Sequence, residues 1–336
     1  MTGTDILRRD SAGKAVRDLQ QRLASAGFVP AGDDAGLFGP ATESAVRSFQ
    51  EARGIRVDGV CGPETWAAIV ESGFALGDRL LYERSPNLRG DDVSELQHRL
   101  NALGFDAGRE DGILGHQTAA ALREFQRNTG GSVNGILGPE TFRALARVGS
   151  LSPGSVAAVR EREQLRHPRL LAEHRVYVAV GPEFQTLGDV VGRALSVAGA
   201  QTITDLSGED DSTIAARANQ YEADLFVGVR AGDRSGCRCH YFASGQFRSE
   251  AGYRVAQAIQ LELEAVLGPT ETDGPCGRTF AILRETRMAA VLCEPVGELD
   301  VEAMGALVAA VADVGAAITR GIQRGVEEQP TESHTD

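Results

Sequence analysis

Positive charge is scarce in this chain: 34 Lys and Arg stand against 47 Asp and Glu, a formal net charge of -13 at pH 7. Nucleic acids and anionic membranes are held by faces of the opposite sign, so this balance argues against either as the main partner. Long apolar runs are missing as well. The opening MTGTDILRRD lacks the apolar core of a secretory signal. No later run approaches the roughly 18 apolar residues that cross a bilayer, so a cytoplasmic location without a transmembrane segment is expected. Cysteine is sparse and odd in number, with five thiols at Cys61, Cys237, Cys239, Cys276 and Cys293. That usage fits a reducing compartment better than a disulfide scaffold. No grouping of nucleophile, histidine and acid stands out, and no glycine loop that would cradle phosphate. His98, His116, His167 and His174 are scattered and carry no evident chemistry.

What the chain has is ordinary apolar content, 42%, over 336 residues, enough for two or three domains with sizeable cores. It also has a duplication. VRDLQQRLASAGF, from Val16 to Phe28, returns as VSELQHRLNALGF from Val93 to Phe105, and DGVCGPETWAAI, from Asp58, returns as NGILGPETFRAL from Asn134. Each copy reads as three short helices. Val16, Leu19 and Leu23, and then Val93, Leu96 and Leu100, recur at helical spacing and form one buried stripe per copy. Gly27 and Gly104 stop that helix, and the prolines of the Gly-Pro turns start the next ones, where a first turn has no partner for its N–H.

The order of these motifs resembles the peptidoglycan-binding repeat attached to many cell-wall hydrolases, with one repeat at residues 8–74 and another at 84–148. The resemblance implies a groove for muropeptide or glycan, lined by Asp58, Thr65 and Trp66 in the first copy and Asn134, Thr141 and Phe142 in the second. A retained protein-interaction surface is the alternative, and Trp66 and Phe142 read equally as core.

Residues 149–175 read as a linker, broken at Ser152 to Ser155 and followed by the charged helical stretch VAAVREREQLR. Beyond it the pattern changes. Apolar runs at Val176 to Val180, Gln201 to Asp205, Leu225 to Val229, Cys239 to Phe242, Phe280 to Leu283 and Val291 to Cys293 read as strands. They alternate with helical stretches at Thr186 to Ala198, Glu250 to Leu267 and Val301 to Val326. The fold class expected is therefore multi-domain α and α/β: two small three-helix domains, then an α/β domain with a mainly parallel or mixed central sheet of about six strands. In such sheets functional groups gather beyond the carboxyl ends of the strands.

Residues 176–326 resemble the zinc-dependent N-acetylmuramoyl-L-alanine amidases in their order of elements. In that family the resemblance implies two histidines and a glutamate on zinc, and a catalytic glutamate at a strand end. Here the turn after the first strand reads Val-Gly-Pro-Glu-Phe, with Glu183 and no histidine, and Arg230 stands where a second histidine ligand is implied. Glu294, in LCEPVG, matches the catalytic glutamate. A guanidinium offers only donors and ligates no metal, so the expectation is a pseudoenzyme with no functional catalytic residue, no metal and no cofactor. A carboxylate left in a half-buried cleft needs a cation, and an Arg230–Glu294 ion pair across the former zinc cavity is expected. The other candidate metal ligands, Cys237, Cys239 and His240, lie on one strand with the cysteines on one face and the histidine on the other, and do not converge.

The last residues, 327–336, are acidic and too polar to pack, and present Thr331 and Thr335 for phosphorylation. Taken together, the chain resembles the CwlM-type actinobacterial regulators of peptidoglycan synthesis. What that resemblance implies is a phosphoprotein without enzyme activity that stimulates UDP-N-acetylglucosamine enolpyruvyl transferase. A lipid II flippase, a forkhead-associated protein and a muropeptide are implied as further partners. An active amidase with a rearranged site is the alternative.

Overall fold

The computed structural model describes residues 6–148, 169–245, 247–269 and 274–327. The chain divides into two compact units, one formed mainly by residues 1–159 and the other mainly by 160–336. The linker helix read at VAAVREREQLR, and Thr331 and Thr335, lie outside the described residues.

The first unit holds two copies of one three-helix motif. Helices α1 (Lys14–Ser25), α2 (Pro40–Arg53) and α3 (Pro63–Glu71) form the first, and α4 (Asp91–Ala102), α5 (His116–Asn128) and α6 (Pro139–Val148) the second. Proline opens α2, α3 and α6, as the turn chemistry predicts. The expected stripes are buried: Val16, Leu19 and Leu23 pack with Val46, Phe49 and Ile69, while Val93, Leu96 and Leu100 pack with Leu122, Phe125 and Leu145. Even the aromatic geometry is duplicated. Phe28 meets Phe49 edge to face at 5.5 Å, and Phe105 meets Phe125 the same way at 5.6 Å. Cys61 occupies the place of Leu137 in the second copy, and both are buried. Burial pushes its thiol up to about 12, so it serves there as a small hydrophobe.

The second unit is a six-stranded mixed sheet in the order β2-β1-β3-β6-β4-β5. The strands are β1 (Arg175–Val180), β2 (Gln201–Asp205), β3 (Leu225–Val229), β4 (Arg238–Phe242), β5 (Cys276–Arg278) and β6 (Ala289–Glu294). Strands β2, β1, β3 and β6 run parallel, β4 is antiparallel to β6, and β5 is parallel to β4 at the edge. Helices α7 (Gln185–Val197), α9 (Glu250–Leu267) and α12 (Val311–Glu327) pack as one layer, and α8 (Asp211–Gln220) and the short α10 (Ala281–Glu285) pack against each other as another. The close seat of α12 on α9 depends on glycine. A Cβ at Gly325 would stand 2.7 Å from the Val255 Cα, inside contact distance.

Two elements differ from the expectation. The run Phe280 to Leu283 is not a strand: Ala281–Glu285 is helical, and the edge strand is the preceding Cys276–Arg278. Four apolar residues in a row fit either period. Here Ile282 and Leu283 are buried from a helical turn, and His240 to Phe242 supply the ladder that turns Cys-Gly-Arg into a strand. The run Val301 to Val326 is two helices, α11 (Val301–Ala309) and α12, bent by 82° at Ala310. No proline or glycine sits at the bend. Leu307 from α11 and Val314, Ile318 and Ile322 from α12 are buried in one core.

Candidate functional site

Strands β3 and β6 are parallel neighbours with Val229 beside Cys293, so the next residues, Arg230 and Glu294, leave the sheet together. The Arg230 backbone N–H donates to the Cys293 carbonyl at 3.0 Å. The expected pair is present: Arg230 Nε stands 3.3 Å from Glu294 Oε1. The same guanidinium lies 3.4 Å from Asp211, the first residue of α8, and 4.7 Å above the Phe280 ring. The other carboxylate oxygen, Oε2, is 2.9 Å from His240 Nε2. His240 and Glu294 are diagonal neighbours in the antiparallel β4–β6 ladder, in which Arg238 faces Glu294. Their side chains are 3% and 8% exposed against 30% for Arg230, so the histidine contact is the buried one.

Burial pushes the Glu294 carboxyl up, but the hydrogen bond and charge of His240, followed by the charge of Arg230, outweigh it and hold Glu294 below its ordinary range. Burial likewise pushes His240 down, and the Cys276 thiol and the Glu294 carboxylate outweigh that, so its net shift is upward. His240 Nε2 therefore donates to Glu294 as half of a charged pair. Backbone approach here is close: a Cβ at Gly232 would stand 2.8 Å from Glu294 Oε2, so only glycine fits the β3 exit loop at that point.

Glu183 lies in the turn after β1, is exposed, and accepts the Ala231 N–H through Oε1 at 3.1 Å. It thus ties the two strand exits together beside the pair. Do these residues fit zinc? A structural or catalytic zinc takes three or more His, Cys, Asp or Glu donors in tetrahedral array. Among the described residues no group of three or more such side chains is placed to hold a metal ion. The donors at the strand ends are already engaged, Glu294 by Arg230 and His240, Asp211 by Arg230 and Glu183 by the Ala231 N–H, and they do not converge on one point as the ion requires. The strand alternation read for Cys237, Cys239 and His240 holds: Cys239 lies 3.6 Å from Cys293 and meets Gln260 of α9, on the face opposite His240.

In the first unit, the polar residues assigned to a binding groove are tied into buried glutamine brackets. Gln50 donates to Asp58, the Val60 carbonyl and Thr65, and accepts the Gly59 N–H. Gln126 repeats this with Asn134, the Ile136 carbonyl, Thr141 and the Gly135 N–H. Gln20 and Gln97 organise the earlier turn of each copy in the same way. Trp66 and Phe142 are half-buried and pack against their respective cores. The motif's Gln, Thr and Asp/Asn positions therefore shape the turns from within.

Residues 12–69 and 89–145 match the family described as "Putative peptidoglycan binding domain". Over 329 aligned residues the chain is 32% identical to the N-acetylmuramoyl-L-alanine amidase CwlM of Mycobacterium tuberculosis, covering 85% of this chain and 80% of that one. The chain belongs to the CwlM family. It is also 35% identical over 146 residues to the N-acetylmuramoyl-L-alanine amidase CwlL of Bacillus licheniformis, spanning 37% of this chain and 40% of that protein. Among solved structures it resembles the N-acetylmuramyl-L-alanine amidase Ami1 of Mycobacterium smegmatis, with a TM-score of 0.40 and 18% identity over 47% of this chain and 99% of that one. The protein is thus a peptidoglycan-related, amidase-like family member with two peptidoglycan-binding regions.

His240 and its neighbour Cys276 are the site residues that sequence reasoning did not assign to this cleft. The chain from Cys276 through His240 to Glu294 crosses three strands, and no local spacing marks it. The only available signal was the alternation that put His240 on the face opposite Cys239.

Proposed function

We propose that this protein is a catalytically inactive member of its family and acts as a cytoplasmic regulator of peptidoglycan precursor synthesis. The observation that supports this reading is the Arg230–Glu294 pair, a carboxylate at the strand exit already bound by a cation that cannot coordinate metal. In this reading the protein binds and stimulates UDP-N-acetylglucosamine enolpyruvyl transferase, under control of phosphorylation at Thr331 or Thr335. A lipid II flippase and a forkhead-associated protein are further partners, and the two repeats hold a muropeptide or a partner protein.

The test is a pull-down with the full chain and its Thr331→Glu and Thr335→Glu variants, followed by assay of the transferase. Binding with a raised initial rate supports the reading. Failure of every form to bind or stimulate the transferase overturns it. A second reading, an active amidase with a rearranged site, is favoured by the amidase name of the 32% identical relative. Release of L-alanine-bearing peptide from muropeptide by the purified chain decides for it.

A further inference from the structure

One cysteine stands apart from the other four. Cys61, Cys237, Cys239 and Cys293 are buried, whereas Cys276 is half-exposed on β5, the edge strand of the sheet. In the parallel β4–β5 ladder its register partner is His240, so the two side chains share one face. His240 gives Nε2 to Glu294, which fixes the ring orientation, and its side chain is 3% exposed. The second ring nitrogen, Nδ1, is buried and has no hydrogen-bond partner among the described residues. A buried ring nitrogen left open beside a thiol is unusual, because an unmade bond there carries a desolvation cost. Phe280 closes the ring from the side, edge to face at 5.5 Å.

Two arginines of the described residues lie near the thiol. Arg278 lies two residues along the same strand face with its Nε buried and unpartnered among the described residues, and Arg238 occupies the matching face of β4. Arg230 stands behind Glu294. His240 first, then Arg278 and Arg238, hold the Cys276 thiol below its ordinary range in spite of burial.

We propose that Cys276, His240 and Glu294 form an activated-thiol site, in which Cys276 is a nucleophile that takes up small disulfides by thiol–disulfide exchange. Glu294 orients His240, and His240 Nδ1 serves the thiol. In the exchange the Cys276 sulfur attacks one sulfur of a low-molecular-weight disulfide. A bond from Cys276 to that sulfur forms as the small disulfide bond breaks, and the departing thiolate takes the proton held on His240 Nδ1. Cys276 and one half of the small molecule end as a mixed disulfide, and the other half is released reduced. The site shares Glu294 with the Arg230 pair, but its test reads the thiol alone, so its failure is distinguishable from failure of the regulatory reading above.

The experiment uses the full chain, native and then unfolded in urea. Alkylation by iodoacetamide is followed by peptide mass spectrometry from about pH 5 to pH 9, alongside a small free thiol, and then the native protein is incubated with cystine. We expect native Cys276 to react roughly tenfold or more faster than the free thiol near pH 6, to lose that advantage on unfolding, and to gain one cystine half that dithiothreitol removes. His240→Gln returns its pH profile to that of the free thiol. Because that variant removes a buried group, the native-against-unfolded comparison in the natural sequence stands as the independent measurement. Reactivity of native Cys276 equal to the free thiol, first modification at another cysteine, or no mixed disulfide with cystine overturns the proposal.

Discussion

Arg230 holds Glu294 by a charge-assisted contact of 3.3 Å between Nε and Oε1, at the point where two parallel strands leave the sheet. The carboxylate's other oxygen is bound to His240 at 2.9 Å. A buried carboxylate shared by two cations is stabilised in its charged form, and removing it leaves the buried His240 without its carboxylate while Arg230 keeps Asp211.

Glu294→Ala is expected to destabilise the second unit by about 3 kcal/mol, the usual scale for breaking a buried pair from one side. Arg230→Met, at a partly exposed position, is expected to cost about 1 kcal/mol. Urea unfolding followed by hydrogen exchange in β3 and β6 assigns the transition to that unit. Equal effects of the two substitutions would contradict the buried His240 contact as the stronger one.

The pair also sets a pH window. Glu294 is held below its ordinary value of 4.5, so its contribution is present above that value and is lost as pH falls through the lowered folded value. His240 is raised above 6.5, so its contribution is complete below 6.5 and is lost as pH rises through the raised folded value. Both are complete between 4.5 and 6.5. Urea midpoints for the second unit should therefore be highest in mildly acid solution, and His240→Gln should flatten the decline on the alkaline side.

The duplicated brackets predict paired effects in the first unit. Gln50→Ala removes four side-chain hydrogen-bond contacts from one turn and Gln126→Ala five from its counterpart. Each should cost about 2–3 kcal/mol, because buried amide and hydroxyl partners are left unsatisfied. Faster exchange at the Gly59 and Gly135 amides, which donate to those glutamines, is the local readout.

Gly325→Ala is expected to destabilise by about 1–3 kcal/mol, since the added carbon meets Val255 backbone and the two helices must separate. An alanine of unchanged stability would show that α12 can shift on α9 without loss.

Much of this was legible in the chain. Both repeats announce themselves by self-similarity, and their helix starts follow from Gly-Pro turns whose chemistry is local. Strands β1, β3 and β6 were legible as apolar runs bounded by polar turns, and β2 by its β-branched Thr-Ile-Thr. Arg230 and Glu294 could be paired because the amidase resemblance sets both at the former zinc cavity, where a carboxylate left without the ion needs a cation. The edge strand was not legible. Cys276 to Arg278 has little β propensity of its own, and its pairing with β4 decides it. The bend at Ala310 was hidden for a similar reason, since nothing in its own residues breaks a helix. No grouping of nucleophile, histidine and acid was visible either, because Cys276, His240 and Glu294 come from three strands whose order is not the chain order. His240 and Glu294 alone are 54 residues apart.

The central claim is that Glu294 is held by Arg230 and His240 at strand ends that bind no zinc. Calorimetric titration of the purified full chain with zinc, joined to a muropeptide cleavage assay of the same sample, tests it most directly. We predict no stoichiometric zinc binding and no release of peptide from muramic acid. One tightly bound zinc per chain accompanied by cleavage would contradict the account.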